Sequence, residues 1–341
     1  MGGFGTGIRA LEQALEDPPE GHDVVWVQTK KGSWPVPALK ADVSSLEAKI
    51  GRRVLRRSNH FMQVAILGSL LALEDAAVHG VKDTHPMGII LGTGFGSTCN
   101  TFDFQELALD ADVQAFSPIS FMNSVHSTAA ASIAAILQER SANITLSRYA
   151  MSVPLAFMTA LAWLETGRFD TVLVGCADEF SKSAAYERAR LVTCDPEKDR
   201  ELASIGEGSV FFLLTRAADN PSGYGFVLSS QTGMGPIELP GQNNGLIFMD
   251  YGLTRGAGLD RKTSTSGPTA SYLPLYGYLP VGLGFAIAIA ALSMKKNTLY
   301  ASIPEGNSHS TIQTRQALSP AQITCARTSV TGEWGQVTVH K

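Results

Sequence analysis

NITLSRYAMSVPLAFMTALAWLETGRFDTVLVGC, residues 143–176, is the stretch on which the fold turns. Asn143–Ser147 alternates like a strand. Ser152–Thr166 reads as a helix, with Pro154 tolerated in its first turn and Gly167 just past its end. Thr171–Val174 is a short apolar run, a buried strand, leading to Gly175-Cys176. A strand, an apolar helix and another strand in succession predict a layered α/β fold.

The alternation continues on both sides. Val24–Gln28 reads as a short strand, and His60–Val78 as a strong helix with Phe61, Val64, Leu67 and Leu71 on its buried face and Gly80 as its stop. Met87–Leu91 is a buried strand running into Gly92-Thr-Gly-Phe-Gly-Ser97, and Ser124–Leu137 an alanine-rich helix. Ser209–Leu214 and Phe226–Ser229 are further strands. From Gly233 to Gly277 the chain is rich in Gly, Pro, Ser and Thr, with one good strand at Leu246–Met249. An apolar helix, Val281–Met294, and two short strands within Gln322–Val339 complete the pattern. The composition shifts near Asn220, which divides the chain into 1–220 and 221–341.

Composition bounds the function. The 341 residues are 44% hydrophobic and 17% charged, against roughly 25% charged in an average soluble chain. Such a chain is folded rather than disordered, and its charge-poor surface favours a large partner interface. A net charge of −4 argues against nucleic-acid binding, which needs a basic face; the cluster Arg52, Arg53, Arg56 and Arg57 reads as a solvated helix end. Cys99, Cys176, Cys194 and Cys325 form no C-x-x-C pair, the usage of a reducing, cytoplasmic setting. The opening residues carry no basic-then-apolar leader, and Val281–Met294 falls short of the roughly 20 residues a membrane span needs.

Known catalytic motifs are scarce. Gly92-Thr-Gly-Phe-Gly-Ser97 follows a strand, but the third glycine of a dinucleotide fingerprint is Ser97, no P-loop lysine follows, and no clear helix is expected after it. It reads as a place where backbones pass closely. There is no G-x-S-x-G elbow, and the seven histidines are scattered, so neither a metal site nor a cofactor site is expected. His126 reads as a hydrogen-bonded residue at a helix start, and Cys176, after a buried strand, as a structural thiol.

Taken in order, these segments resemble the β-ketoacyl-acyl-carrier-protein synthase family. The resemblance rests on Arg56-Arg-Ser-Asn-His-Phe61 with its long helix, Leu91-Gly-Thr-Gly-Phe-Gly96, and Ser117-Pro118 through Leu137. It continues in Ser204-Ile-Gly-Glu-Gly-Ser-Val-Phe-Phe-Leu-Leu-Thr215 and Gly277-Tyr-Leu-Pro-Val-Gly-Leu-Gly284 with its apolar helix. The resemblance implies a thiolase-like α/β fold: two related halves forming a layered α-β-α-β-α sandwich, the second half shortened.

The family uses a cysteine at the start of a buried helix, whose dipole lowers the thiol pKa, and two histidines that help decarboxylation and stabilise the enolate and oxyanion. The cysteine lies 17 positions before the glycine that ends the helix, which here is Gly167, so Ala150 stands in the nucleophile position. The first histidine position falls at Tyr251, after Leu246–Met249, and the second at Tyr278, with Leu273 where a lysine partner is usual. Loss of all three points to natural loss of the triad rather than an engineered cysteine change.

Within the family, Ser117-Pro-Ile-Ser-Phe-Met-Asn-Ser-Val-His-Ser127 resembles a chain-length-factor-like branch, although such factors often carry glutamine where Ala150 stands. The implied role is a non-catalytic subunit pairing with an active ketoacyl synthase, serving an acyl carrier protein, and shaping the tunnel for a growing fatty acyl or polyketide chain. Met122, His126, Met151 and Phe157 are the expected seam or tunnel residues, and the Asn123–Leu137 helix and Asn143–Ser147 strand the expected dimer contact. One alternative is an active homodimeric synthase or acyltransferase with Ser147, Ser152 or Cys176 as nucleophile. Another is a carrier-protein-binding module without a partner synthase. Gly2-Gly-Phe-Gly-Thr-Gly7 resembles the loop after the family's first strand, which is expected to precede the residues given.

Overall fold

The computed structural model describes residues 1–79, 86–109, 118–216, 223–237, 245–250, 268–303, 311–318, 321–329 and 331–341, without the side chains of 106–109, 198, 200 and 201. Helix α1 (Ile8–Glu16) buries Leu11, Ala14 and Leu15, and is followed by an antiparallel hairpin of β1 (Asp23–Thr29) and β2 (Gly32–Leu39). Short helices α2 (Leu46–Ile50) and α3 (Arg52–Leu55) lead to α4 (His60–Val78). Asn59 caps α4 by accepting from Met62 N–H at 2.8 Å. At 19 residues, α4 is long and apolar enough to cross a membrane by length and composition. Here Phe61, Val64, Ala65 and Leu67 bury it in the core, which identifies a core helix.

The first half continues with β3 (Met87–Thr93), α5 (Thr98–Leu109), α6 (Pro118–Ser124), α7 (Thr128–Ile136) and β4 (Asn143–Ser147). Then come α8 (Ser152–Glu165), β5 (Thr171–Asp178), α9 (Lys182–Cys194), the two-residue β6 (Ile205–Gly206) and β7 (Gly208–Thr215). Its main sheet has the order β4-β3-β5-β7, parallel except for β7, which runs antiparallel to β5. Every residue of β3 is buried, with Ile89 and Leu91 packed in the cluster of α4 and α7, and Ile90 in that of α8.

Two sequence expectations are corrected here. The glycine turn does open a helix, α5, whose Cys99 N–H donates to the Glu179 carboxylate at 3.1 Å. That cap comes from 80 positions away and leaves no local signature. The single helix expected over Ser124–Leu137 is instead two, α6 and α7, interrupted at Val125–Ser127. Carbonyls that would carry the helix onward accept from side chains instead: Met122 O from Thr128 Oγ1 at 2.7 Å and Asn123 O from Asn59 Nδ2 at 2.8 Å. The Gly80 stop lies outside the described residues.

The second half comprises β8 (Phe226–Met234), β9 (Leu246–Asp250), β10 (Thr269–Ala270), α10 (Leu273–Tyr276), α11 (Leu283–Lys296), β11 (Thr298–Leu299), β12 (Gln316–Ala317), β13 (Gln322–Thr328) and β14 (Glu333–His340). Its main sheet has the order β10-β9-β13-β14-β8. The first three strands are parallel, β14 is antiparallel to β13, and β8 is antiparallel to β14. Helix α8 touches β3 and β5 of one sheet and β8 and β14 of the other, while α11 touches β9, β13, β14 and β7. These two helices form the middle layer between the sheets, which is why α11 is buried nearly all round.

Candidate active-site region

The turn from β4 into α8 places Ala150. Tyr149 adopts a left-handed φ of +49°, a conformation that costs a non-glycine residue about 1 kcal/mol or more. The turn is held by Ser152, whose hydroxyl accepts from Arg148 N–H and lies 2.8 Å from both Thr93 O and Tyr149 O, to one of which it donates. Ala150 follows in a single 3-10 turn that runs into α8 and is only 3% exposed. A buried methyl thus stands at the start of a long helix, where a thiolate would gain from the dipole. A methyl carries no lone pair and makes no thioester.

Tyr278 faces this turn from the second half. Its phenol is hydrogen-bonded to that of Tyr149, and its backbone joins the first half through Tyr278 N–H to Ser204 O at 2.7 Å and Gly206 N–H to Tyr278 O at 2.8 Å. Burial raises the Tyr278 pKa, keeping the phenol neutral. Leu273, the residue expected at the position of the usual lysine, is fully buried in the apolar core. Tyr251 lies outside the described residues.

Asp250 and Arg327 stand opposite one another in parallel strands β9 and β13 and form a fully buried ion pair. Arg327 Nη1 also donates to Leu279 O at 2.9 Å, Tyr276 OH donates to the Asp250 carboxylate at 3.3 Å, and the guanidinium lies 5.7 Å from the centre of the Tyr278 ring. Burial raises the Asp250 pKa; burial acts to lower that of Arg327, but the Asp250 charge raises it further. The carboxylate fills the space at Gly282, where a Cβ would come within 2.6 Å of it. Motif reading did not single out this pair, although an acid ending a wholly apolar strand was a visible signal.

The glycine turn after β3 closes the near side. Asp178 at the end of β5 accepts from Thr93 Oγ1 at 2.7 Å and from the N–H groups of Gly94, Phe95 and Gly96 at 3.1, 2.8 and 3.2 Å. Burial pushes its pKa up to about 6, against those hydrogen bonds. The nest that invited a phosphate reading is therefore filled by the chain's own carboxylate. Gly94 is required there, because a Cβ would sit 2.1 Å from Pro280 Cβ.

The expected seam residues separate. Met151 is buried in the turn before α8 and Phe157 on α8, whereas Met122 is 51% exposed on α6, beside exposed Ile119 and Phe121. His126 lies against Gly96, half-buried, with its pKa lowered by burial; against the expected hydrogen bond, its Nδ1 is buried without a partner among the described residues. Among the alternative nucleophiles, Ser152 is spent on the turn and Ser147 is exposed at the end of β4. Cys176 is buried 3.7 Å from Val281 O, with burial raising its thiol pKa. All four cysteines are free, and among the described residues no cluster of three metal-binding side chains occurs.

A family model described as "Beta-ketoacyl synthase, N-terminal domain" matches residues 19–220. No curated protein matches the chain. Among solved structures, the ishigamide ketosynthase/chain length factor aligns over 100% of this chain and 96% of its own, with a TM-score of 0.77 and 14% identity. A beta-ketoacyl synthase from Burkholderia phymatum STM815 aligns over 100% and 97%, with a TM-score of 0.76 and 14% identity. AntDE:AntF, a type II PKS acyl-carrier protein in complex with its ketosynthase bound to the hexaketide, aligns over 99% and 96% at a TM-score of 0.70 and 13% identity. At these identities the likeness is one of fold.

Proposed function

The chain belongs to the β-ketoacyl synthase family, and from its thiolase-like fold and rebuilt site we propose that it is a non-catalytic, chain-length-factor-type subunit pairing with an active synthase. The observation that carries this is the buried Ala150 methyl at the helix start, faced by the Tyr149–Tyr278 pair. Decarboxylative condensation needs a thiolate nucleophile and groups that stabilise an enolate and an oxyanion. At position 278 a neutral phenol already bonded to another phenol supplies no imidazole, and the nearby Arg327 charge is neutralised by Asp250.

The pairing half of the proposal draws on the surface. β4 is the edge strand of its sheet, with exposed Ile144, and Ile119, Phe121, Met122 and Val125 of the α6 region are exposed as well. An open strand edge with apolar neighbours is suited to a partner subunit. The two main sheets lie on either side of residue 220, which supports a division into halves 1–220 and 221–341. In this reading the protein works in the cytoplasm beside an acyl carrier protein, serves fatty acyl or polyketide elongation, and calls on no cofactor.

The test is incubation of the purified chain with an acetyl-pantetheine thioester, followed by intact mass. The expected result is no covalent adduct. An adduct confined to one residue overturns the non-catalytic reading. Co-expression with a cysteine-bearing synthase is expected to give a co-purifying heterodimer; stable homodimers alone would overturn the pairing.

A further inference from the structure

The hairpin of β1 and β2 belongs to a small sheet of its own, in the order β1-β2-β6, and among the described residues no strand pairs the far edge of β1. The register puts Trp26 opposite Pro35 and Val24 opposite Pro37. A proline has no N–H to exchange, so these are non-hydrogen-bonded pairs of the antiparallel ladder. Val25, Val27 and Thr29 therefore bond to β2, while Val24, Trp26 and Gln28 turn their N–H and C=O groups to the open edge.

The side chains divide the same way. Val25, Val27 and Thr29 are half-buried, Val27 against the core, whereas Val24, Trp26 and Gln28 are exposed, Trp26 at 67%. Solvent-facing edge strands are ordinarily blunted by a charge, a proline or a bulge within the strand. From Val24 to Thr29, β1 has none of these: Val-Val-Trp-Val-Gln-Thr is uncharged, its register with β2 is unbroken, and both prolines lie on β2. Charges stand only at the two ends, and they differ in sign. Exposed Glu20 and Asp23 mark the start, exposed Lys30 and Lys31 the end.

We propose that β1 pairs with β1 of a second copy of this chain, antiparallel about a twofold axis at Trp26. In that register Val24 stands opposite Gln28 of the second copy and Trp26 opposite Trp26, so every outward residue of each strand finds a partner with which it exchanges both hydrogen bonds. The two indoles meet across the axis on the exposed face, removing the most exposed aromatic surface of the hairpin from water. Lys30 and Lys31 of one copy come beside Glu20 and Asp23 of the other, whereas a parallel pairing would set like charges together. This self-complementarity, the same patch serving on both sides of a dyad, selects a second copy over an unrelated strand. β1 and β4, the edge invoked for a partner synthase, belong to different sheets, so either pairing can fail alone.

The test is analytical ultracentrifugation of the purified chain over about 1–100 μM, beside Trp26→Lys, Lys30→Glu/Lys31→Glu and Glu20→Lys/Asp23→Lys. At the upper concentration the wild-type mass is expected to be at least about twice that of each variant alone. An equimolar mixture of the two charge variants sets opposite charges together at both ends of the strand pair and is expected to regain the wild-type mass. Hydrogen–deuterium exchange supplies a local readout. The amides of Val24, Trp26 and Gln28 are expected to exchange about tenfold more slowly at high than at low concentration, and those of Val25 and Val27, already bonded to β2, to be unchanged. A wild-type mass no greater than that of the variants overturns the proposal, whether all stay small or all associate through another surface. So does a mixture that remains dissociated, or exchange at the three outward amides that ignores concentration. Should Trp26→Lys fail to fold, the charge variants and their mixture decide alone.

Discussion

Replacing Arg327 by Met leaves the Asp250 carboxylate buried, with Tyr276 OH, at 3.3 Å, as the remaining side-chain donor among the described residues. Breaking a buried pair from one side costs about 3–5 kcal/mol, because the abandoned charge has lost both water and partner. The site sets a ceiling on that cost, since the carboxyl can take up a proton instead. Holding neutral a carboxyl whose ordinary pKa is 3.8 costs about 1.4 kcal/mol for each pH unit above that value. The ceiling is therefore about 4 kcal/mol at pH 7 and about 2 kcal/mol at pH 5. The sign follows from the raised pKa of the unpaired carboxyl: the folded variant binds its proton more tightly than the unfolded chain, so stability is lost as pH rises. Urea unfolding of the wild type and Arg327→Met at pH 5, 6 and 7 measures the difference. In Asp250→Asn/Arg327→Met no charge remains to bury, and the double variant is expected to recover most of the loss and to show no such pH slope. A cost for Arg327→Met that stays flat with pH, or a double variant as unstable as the sum of the two single ones, would refute the reasoning.

Four further outcomes are expected. In Asp178→Asn the wild-type loss of stability between about pH 4 and 6, up to about 3 kcal/mol for a carboxyl raised from 3.8 to about 6, is absent, as urea midpoints across that range will show. His60, with its pKa raised by Glu207 at 2.9 Å, stabilises the fold below its unfolded pKa of 6.5 and loses that contribution as pH rises through the higher folded value. His60→Gln should therefore lower the melting temperature more at pH 6 than at pH 8.5. Gly94→Ala drives a Cβ into Pro280 and should cost about 1–3 kcal/mol in urea unfolding. Tyr149→Phe removes the Tyr149–Tyr278 hydrogen bond and leaves one buried phenol unpaired, at about 1–3 kcal/mol in the same assay.

What could be read from the sequence divides by distance along the chain. The β4-α8-β5 run and the limits of α4 follow from apolar periodicity and end signals that neighbouring residues carry themselves. Helix α9 escaped notice because Arg188 sits on its buried face, where a charge breaks the apolar stripe. Only the fold supplies its acceptors, Ala203 O at 3.0 Å and Asp199 Oδ1 at 2.8 Å. Strand β2 was hidden by Pro35 and Pro37, which the antiparallel hairpin accommodates. Within the region, the place of Ala150 at the entry of α8 was legible because its distance to Gly167 is a local count along one helix. Asp250 and Arg327 were not, because their pairing depends on the register of two parallel strands 77 residues apart.

That difference bears on how the site should be understood. In the proposed reading, an alanine at position 150 taken singly is one lost thiol, and one substitution would restore it. The structure shows more around it: the Tyr278 phenol is bonded to Tyr149 beside Ala150, its ring faces Arg327, and Arg327 is tied to Asp250 and to Leu279 O. A cysteine introduced at 150 would begin a helix, but in the proposed reading it would meet the neutral Tyr278 phenol and no imidazole. Arg327, the cation beside that phenol, is compensated by the Asp250 carboxylate, so it offers little positive field to a developing oxyanion. The two phenols, the Asp250 carboxylate and Arg327 Nη1 bond within the set, while Arg327 Nε is buried without a hydrogen-bond partner among the described residues, and the region has the character of a packed core. A cavity of about 1100 Å³ along β7 fits the same view, since its lining includes neither Ala150 nor Tyr278.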